Sequence, residues 1–129
     1  MKTLEKTLPI VARILIALIF VLSGASKITS FDGTVGYIAS KGLPLASLAA
    51  IMAIIVELGG GLMLVFAYRA RIAAFLLAGF TVVAAVIFHD FWSVPAAEMQ
   101  NQMIHFMKNL ALAGGLLMVV VHGASAKSE

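Results

Sequence analysis

The sequence predicts an all-α integral membrane protein that folds as a four-helix bundle, and three observations carry this prediction. Hydrophobic residues make up 62% of the 129 residues and charged residues only 12%, whereas soluble domains have about 45–50% and about 25%. Four mostly apolar runs have about the length that a helix needs to cross a bilayer. They cover about residues 8–26, 45–67, 72–88 and 103–121, and we expect them to form one membrane domain over residues 1–129.

This composition excludes several classes of protein. A soluble domain of this size buries only about two thirds of the surface that its unfolded chain exposes. It could not hide so much apolar surface, so a soluble globular enzyme, a disordered segment and a nucleic-acid-binding domain are all excluded. The formal charge of +3 is accounted for by basic loops beside membrane spans, and we expect a lipid bilayer, not nucleic acid, as the partner. The absence of cysteine excludes disulfides, cysteine-ligated zinc and iron–sulfur clusters.

The four runs and their connections follow one another in a simple order. The first run is a span and not a cleaved signal peptide, because Arg13 interrupts its apolar stretch. All four runs are continuous, without the alternation of transmembrane strands, so helices must satisfy their backbone groups. The connection 27–44 allows two interpretations, a short interfacial helix with a turn at Gly42–Pro44, or a cap over the mouth of the bundle. A tight basic turn at 68–71 and a polar segment at 89–102 complete the chain.

Basic residues predict the orientation of the bundle, since they are more frequent on the cytoplasmic side of a membrane. With the N terminus inside, the cytoplasmic side carries Lys2, Lys6, Arg69, Arg71 and Lys127, with Arg13 close to it, and the outer side carries Lys27, Lys41 and Lys108. We therefore predict that both termini are cytoplasmic.

Glu57 is the most informative polar residue in the spans. It lies near the middle of the second run, about 18 Å from either surface, so it must be protonated or paired with a cation. Gly60, Gly61 and Leu64 lie on the same helical face, and the glycines allow another helix to approach closely. We predict that Glu57 faces another helix and pairs with Arg13, directly or through water. The alternative for Arg13 is that its side chain reaches the cytoplasmic headgroups.

A second group of polar residues is expected near the outer surface. His105, Lys108 and Asn109 share one face of the fourth run, His89 ends the third run, and Lys27 follows the first. We predict that these side chains converge at one mouth of the bundle. The alternative is that they are separate interfacial residues at helix ends, where such residues are common. The two histidines lie at the same end without the facing arrangement that haem requires, and we expect no metal site.

These features together resemble the DoxX family of small bacterial and archaeal four-helix membrane proteins. The resemblance covers nearly the whole chain, and its strength lies in the order and spacing of individually weak motifs around four spans. The matching pieces are Arg13, Phe20–Leu22–Ser23–Gly24 with Lys27, Gly42–Leu43–Pro44, Glu57–Leu58–Gly59–Gly60, Arg69 and Arg71, His89 with Phe91 and Trp92, and Lys108–Asn109 with Gly114–Gly115.

The resemblance implies a location in the cytoplasmic (inner) membrane and a role in quinone or quinol handling, or as an accessory subunit of a membrane redox system. Quinone is the candidate cofactor, and redox proteins of the membrane are the candidate partners. No self-contained catalytic motif is present, so at most an oxidoreductase subunit is expected. The alternatives are a non-catalytic scaffold and a small-solute or proton-coupled conduit. The glycine-rich faces leave open whether the bundle is a monomer or a homo-oligomer.

Overall fold

The computed structural model of the chain describes residues 1–123, which contain helices and turns and no strand. Four of its helical segments are long and apolar enough to cross a membrane. The elements are α1 (Lys2–Thr29), α2 (Phe31–Ser40), α3 (Ala46–Ile54), a π-helical turn (Ile55–Gly59), α4 (Gly60–Val65), α5 (Ala70–Phe88), a 3₁₀ turn (Phe91–Ser93) and α6 (Ala96–His122).

The four predicted spans are confirmed, although the first and the last are longer than expected. Helix α1 has 28 residues and includes Lys27 in its last turn. Helix α6 begins at Ala96, so residues 96–102, which were predicted to belong to the connection 89–102, are helical. Pro95 precedes the first turn and Glu98 lies within it, which is a favourable arrangement because a carboxylate stabilises the positive end of the helix dipole.

Small residues build the core where the spans meet. Helix α1 packs against the second span, which consists of α3, the π turn and α4; α4 packs against α5, and α5 packs along α6. The ring closes where Gly115 of α6 faces Ile16 of α1. Four alanines of α5 are buried together with Leu64, Leu77 and Leu116. Many of the larger apolar side chains, such as Leu15 and Phe75, are exposed on the outer surface of the bundle, where they can contact lipid.

Two glycines fix the register between α1 and the second span. A Cβ atom on Gly24 would lie 2.9 Å from the backbone nitrogen of Leu58, and one on Gly61 would lie 2.9 Å from a methyl carbon of Val21. The helices therefore approach more closely than any other residue type would allow. This antiparallel register decides which polar side chains of the two spans meet.

Helix α2 lies over one end of the bundle, which we call the α2 end. It is followed by a turn in which Gly42 has a φ of +78°, a conformation that suits glycine. The Tyr37 hydroxyl donates to the carbonyl oxygen of Phe88 at 3.4 Å, their rings stack, and Lys41 pairs with Asp90 at 3.2 Å. Both interpretations of the 27–44 connection thus hold in part, since a short helix and a turn form and the helix also contacts the opposite span.

The other end of the bundle, which we call the terminal end, brings the start of α1 next to the end of α6. Met1, Leu4 and Pro9 line the same surface depression as His122 and Gly123. The two termini of the described chain are therefore on one side, as an even number of spans requires. Lys127, which entered the orientation prediction, lies outside the described residues.

Candidate functional site

A cavity of about 670 Å³ opens between the spans beneath α2. Apolar and aromatic side chains form most of its wall, including Ile19, Phe20, Phe80, Ile87, Phe88 and Leu112. The polar and titratable side chains of the wall include Ser23, Lys27, Tyr37, Glu57, Thr81, His89, Lys108 and Asn109. Five of the seven predicted site residues thus line one cavity, and Arg13 and His105 do not.

The Lys27–Glu57 ion pair is the most buried charged contact of this cavity. Nζ of Lys27 lies 2.8 Å from Oε1 of Glu57, and the side chains are 28% and 6% exposed. Lys27 Nζ also donates a hydrogen bond to Ser23 Oγ at 2.8 Å. Among the ion pairs and hydrogen bonds of residues 1–123, Lys27 Nζ is the partner of Glu57 Oε1, and the second lone pair of this oxygen can accept a further hydrogen bond. The carboxylate is therefore held by charge and keeps an acceptor direction open.

Glu57 is the central residue of the π-helical turn, Ile55–Gly59. A π turn inserts one residue into the helix and changes the face that the following residues present. The face with Glu57 is directed at α1 and the cavity, and Gly61 is directed at Val21 of α1. Such turns are frequent at functional sites, and neither hydropathy nor glycine spacing indicated this one.

The predicted pairing of Glu57 with Arg13 is wrong, because the register of the helices places Lys27 opposite the carboxylate. Arg13 lies fourteen residues before Lys27, which is about 21 Å along the helix. Its side chain is directed towards the α4 part of the second span, where Nε donates to the carbonyl oxygen of Leu64 at 2.6 Å. Arg13 is buried, so the alternative of an arginine that extends to the headgroups does not describe it either.

Asn109 and Thr81 form the polar wall between α6 and α5. Asn109 Nδ2 donates to the backbone carbonyl oxygen of Thr81 at 3.3 Å. Thr81 is only 3% exposed, and its Oγ1 has no hydrogen-bond partner within the described part of the chain. A buried hydroxyl without a partner is costly, so this oxygen is a natural contact for a polar atom of a bound molecule.

The two histidines occupy the rim at the α2 end. The His89 and His105 rings stack with centroids 5.0 Å apart, and His89 Nδ1 lies 2.9 Å from Gln102 Oε1. His89 lines the cavity, together with Lys108 from the next turn of α6, whereas His105 contacts it only through His89. The predicted convergence at one mouth is therefore observed for Lys27, His89, Lys108 and Asn109, and their role remains a prediction.

Six polar lining residues were not predicted from the sequence as candidates, namely Ser23, Ser26, Ser30, Thr34, Tyr37 and Thr81. Ser23 appeared only within a motif, and Tyr37 was not distinguished from the rest of the connection 27–44. Thr81 carries no charge and lies within an apolar run. The available signal for Thr81 is its place in the small-residue face of α5, three residues after Ala78 and four before Ala85, since such faces pack against other helices.

The arrangement combines an apolar compartment with a few convergent donors and one carboxylate, which is the usual composition of a small-molecule site. It can hold an amphiphilic molecule whose polar end reaches Glu57, Thr81 and Asn109. The carboxylate and its ammonium partner can also accept and return a proton at the ligand, as proton-transfer groups do when they lie within hydrogen-bond reach.

Comparison with known proteins gives a consistent result. The DoxX family model matches residues 8–90, a range that contains Arg13, Lys27, Glu57 and His89. The chain is 38% identical to "Inner membrane protein YphA" of Escherichia coli (strain K12) over 119 residues, which cover 92% of this chain and 85% of the relative. It is 39% identical to "Inner membrane protein YqjF" of the same organism over 128 residues, covering 99% and 93%.

No solved structure matches the chain. The family match covers three of the four spans, and the two relatives extend over α6 as well. The four-helix membrane architecture, the family model and the two relatives lead to the same assignment, and the chain belongs to the DoxX family.

Proposed function

We propose that the cavity binds the head group of a quinone or quinol and that the protein serves as a quinone-handling or accessory subunit of a membrane redox system. The observation that carries the proposal is the partly apolar 670 Å³ cavity with the Lys27–Glu57 pair in its wall. Quinones are apolar rings with two polar oxygens, and they are dissolved in the same membrane.

The size and walls of the cavity support this class of ligand. Small-molecule sites have volumes of about 300–1,000 Å³, and the cavity lies within this range. Phe20, Phe80 and Phe88 line it and offer ring faces and edges against which a flat aromatic ring packs well. A ring enclosed by these side chains would replace lipid contacts with aromatic contacts.

The polar groups also match the two states of a quinone. A quinone carbonyl accepts hydrogen bonds, and the Thr81 hydroxyl and the Lys108 ammonium are donors in the wall. A quinol hydroxyl donates, and Glu57 Oε1, which lies 2.8 Å from Lys27 Nζ, has a second lone pair that can accept. Glu57 and Lys27 would hold or exchange the proton that accompanies a change between the two states.

Electrons must come from elsewhere, because the chain has no cysteine and no self-contained catalytic motif. We propose that a partner protein of the membrane supplies or receives them. The location proposed for the chain is the cytoplasmic membrane, in agreement with the names of both relatives. In the N-in/C-in orientation, Arg69 and Arg71 lie on the cytoplasmic side and the cavity faces outward.

A binding experiment tests the proposal. The protein is purified in a non-ionic detergent, loaded with a neutral naphthoquinone, washed and extracted with organic solvent, and the quinone in the extract is measured by absorbance. We expect near-stoichiometric quinone for the natural sequence and a loss of tenfold or more for Glu57→Gln and Lys108→Ala. Gly79→Ala is the control, because a Cβ atom there would meet nothing within 4 Å.

The corresponding test in cells is growth under quinone stress at equal expression of each variant. We expect Glu57→Gln and Lys108→Ala to lose the tolerance that the natural sequence and Gly79→Ala provide. Unchanged binding and unchanged tolerance in both variants would exclude the proposed site.

A second candidate function is a non-catalytic scaffold, and one observation favours it. The Lys27–Glu57 pair lies next to a close helix contact, at Gly24 and Leu58, and under this function the pair serves assembly alone. In that case Glu57→Gln lowers expression or releases partners, and no quinone accompanies the purified natural protein. The extraction experiment therefore separates the two functions.

A further inference from the structure

The positive and negative side chains that line the cavity are unequal in number, and this difference bears on the charge of the ligand. Among the described residues, the lining residues with a formal charge are Lys27, Glu57 and Lys108. Glu57 is matched by Lys27 at 2.8 Å. The ion pairs within residues 1–123 do not include Lys108, so the wall has one positive charge in excess.

The carboxylate that follows α5 is also paired. Asp90 pairs with Lys41 at 3.2 Å, and both side chains are about a quarter exposed. That pair fastens α2 to the segment after α5 and does not line the cavity. The excess positive charge of Lys108 therefore remains beside the opening, between His89 and Asn109.

The cavity that Lys108 lines also contains a buried donor in its wall. The Thr81 hydroxyl is almost fully buried and has no partner in the described chain, and Asn109, the neighbour of Lys108, already directs its amide towards Thr81. An ionised oxygen accepts several hydrogen bonds, and its bonds are about twice as strong as those of a neutral oxygen.

From these contacts we infer that the preferred ligand carries an ionised oxygen on its aromatic body, as an acidic hydroxyquinone or an aromatic carboxylate does. The negative oxygen lies between Lys108 and the Thr81 hydroxyl, and the ring lies among Phe20, Phe80 and Phe88. This inference rests on the proposed function, because it assigns a ligand class to the same cavity. It differs from that proposal in excluding neutral quinones as the best ligands.

The test compares two naphthoquinones that differ in one charge. Lawsone has a ring hydroxyl that is a vinylogous acid and is ionised at neutral pH, and its methyl ether is neutral and nearly equal in shape. Binding to the protein in non-ionic detergent is measured by equilibrium dialysis at low salt. We expect lawsone to bind about tenfold more tightly than the methyl ether, and the difference to shrink in high salt, because the Lys108 side chain is exposed and its charge is screened.

Variants of Lys108 test whether this residue causes the preference for lawsone. Lys108→Met is expected to weaken the binding of both compounds, and that of lawsone about tenfold more, which brings the two affinities within about twofold, while Lys108→Arg retains the preference. Lys6→Met is the matched control, since Lys6 is exposed at the terminal end, and it is expected to change neither affinity.

Two results would overturn the inference. If the natural protein binds the methyl ether as tightly as lawsone, the cavity has no preference for an anion, and the proposed quinone site survives with neutral ligands. If lawsone is preferred but Lys108→Met keeps the full preference, the charge responsible lies elsewhere. Failure of both compounds to bind contradicts the proposed function itself, so the two failures are distinguishable.

Discussion

The Lys27–Glu57 pair gives the most quantitative prediction about the stability of the bundle. At 2.8 Å, the attraction of two unit charges is about 6 kcal/mol at an effective dielectric constant of about 20. Water at the 28% exposed Lys27 side chain screens part of this attraction, and contacting residues couple by about 0.5–3 kcal/mol, so we expect a coupling of about 2 kcal/mol. The perturbations that measure it are Lys27→Met, Glu57→Gln and the two together.

The two single substitutions should differ in cost. Lys27→Met leaves a carboxylate that is only 6% exposed without its cation, and such losses cost about 3 kcal/mol. Glu57→Gln leaves an ammonium that is 28% exposed and still donates to Ser23, so we expect about 1–2 kcal/mol. The double variant should cost less than the sum of the two.

The assay is reversible unfolding in mixed micelles by titration with a denaturing detergent, followed by far-UV circular dichroism for all four proteins. A double-mutant cycle gives the coupling free energy without assigning the whole effect to either residue. A coupling below about 0.5 kcal/mol, or a greater cost for Glu57→Gln than for Lys27→Met, would refute the assignment of a buried pair.

Three further predictions follow from single contacts. Gly24→Ala should destabilise the bundle by about 1–3 kcal/mol in the same unfolding assay, because the added Cβ atom would meet the Leu58 backbone. Gly59→Ala is the control, since a Cβ atom there has open space, and it should be neutral or stabilising. Equal effects of the two substitutions would contradict the helix contact. Thr81→Val should leave stability unchanged or raise it by up to about 1 kcal/mol in the same assay, and it should weaken quinone binding several-fold in dialysis. Unchanged quinone binding would show that the Thr81 hydroxyl does not contact the ligand. Tyr37→Leu removes the ring stack that holds α2 against Phe88, which is worth about 0.5–1.5 kcal/mol. Quinone release, measured by stopped-flow mixing, should therefore become several-fold faster. An unchanged rate would show that α2 does not restrict the exit of the ligand.

Length and hydropathy were sufficient to predict the four spans, because a helix that crosses a bilayer must be long and apolar. The need for a partner at Glu57 was also predictable, since a carboxylate cannot reach water from the interior of a span. The identity of the partner was not predictable. It depends on the register of α1 against the second span, which is set by the contacts of Gly24 and Gly61 and by the π turn.

The residues of the cavity were likewise predictable from the sequence only in part. The polar stripe of α6 indicated that Lys108 and Asn109 face one side, and the structure places both at the cavity. Thr81 lacks a charge and is surrounded by apolar residues, so the sequence gives it no special weight. Its importance arises from the packing of α5 against α6, which buries its hydroxyl beside the Asn109 amide. A side chain that is a site candidate only because it is buried can be identified from the structure but not from the sequence.

The most direct test of the quinone site is photolabelling with an azidoquinone, followed by mass spectrometry of the labelled peptides. The account predicts that the label is attached to cavity-lining positions of α5 and α6, such as Phe80, Ile87 and Leu112, and that an excess of unlabelled quinone prevents it. Labelling of outward-facing side chains such as Leu15 and Phe75, with no effect of the competitor, would show that quinone contacts only the lipid-facing surface and would contradict the account.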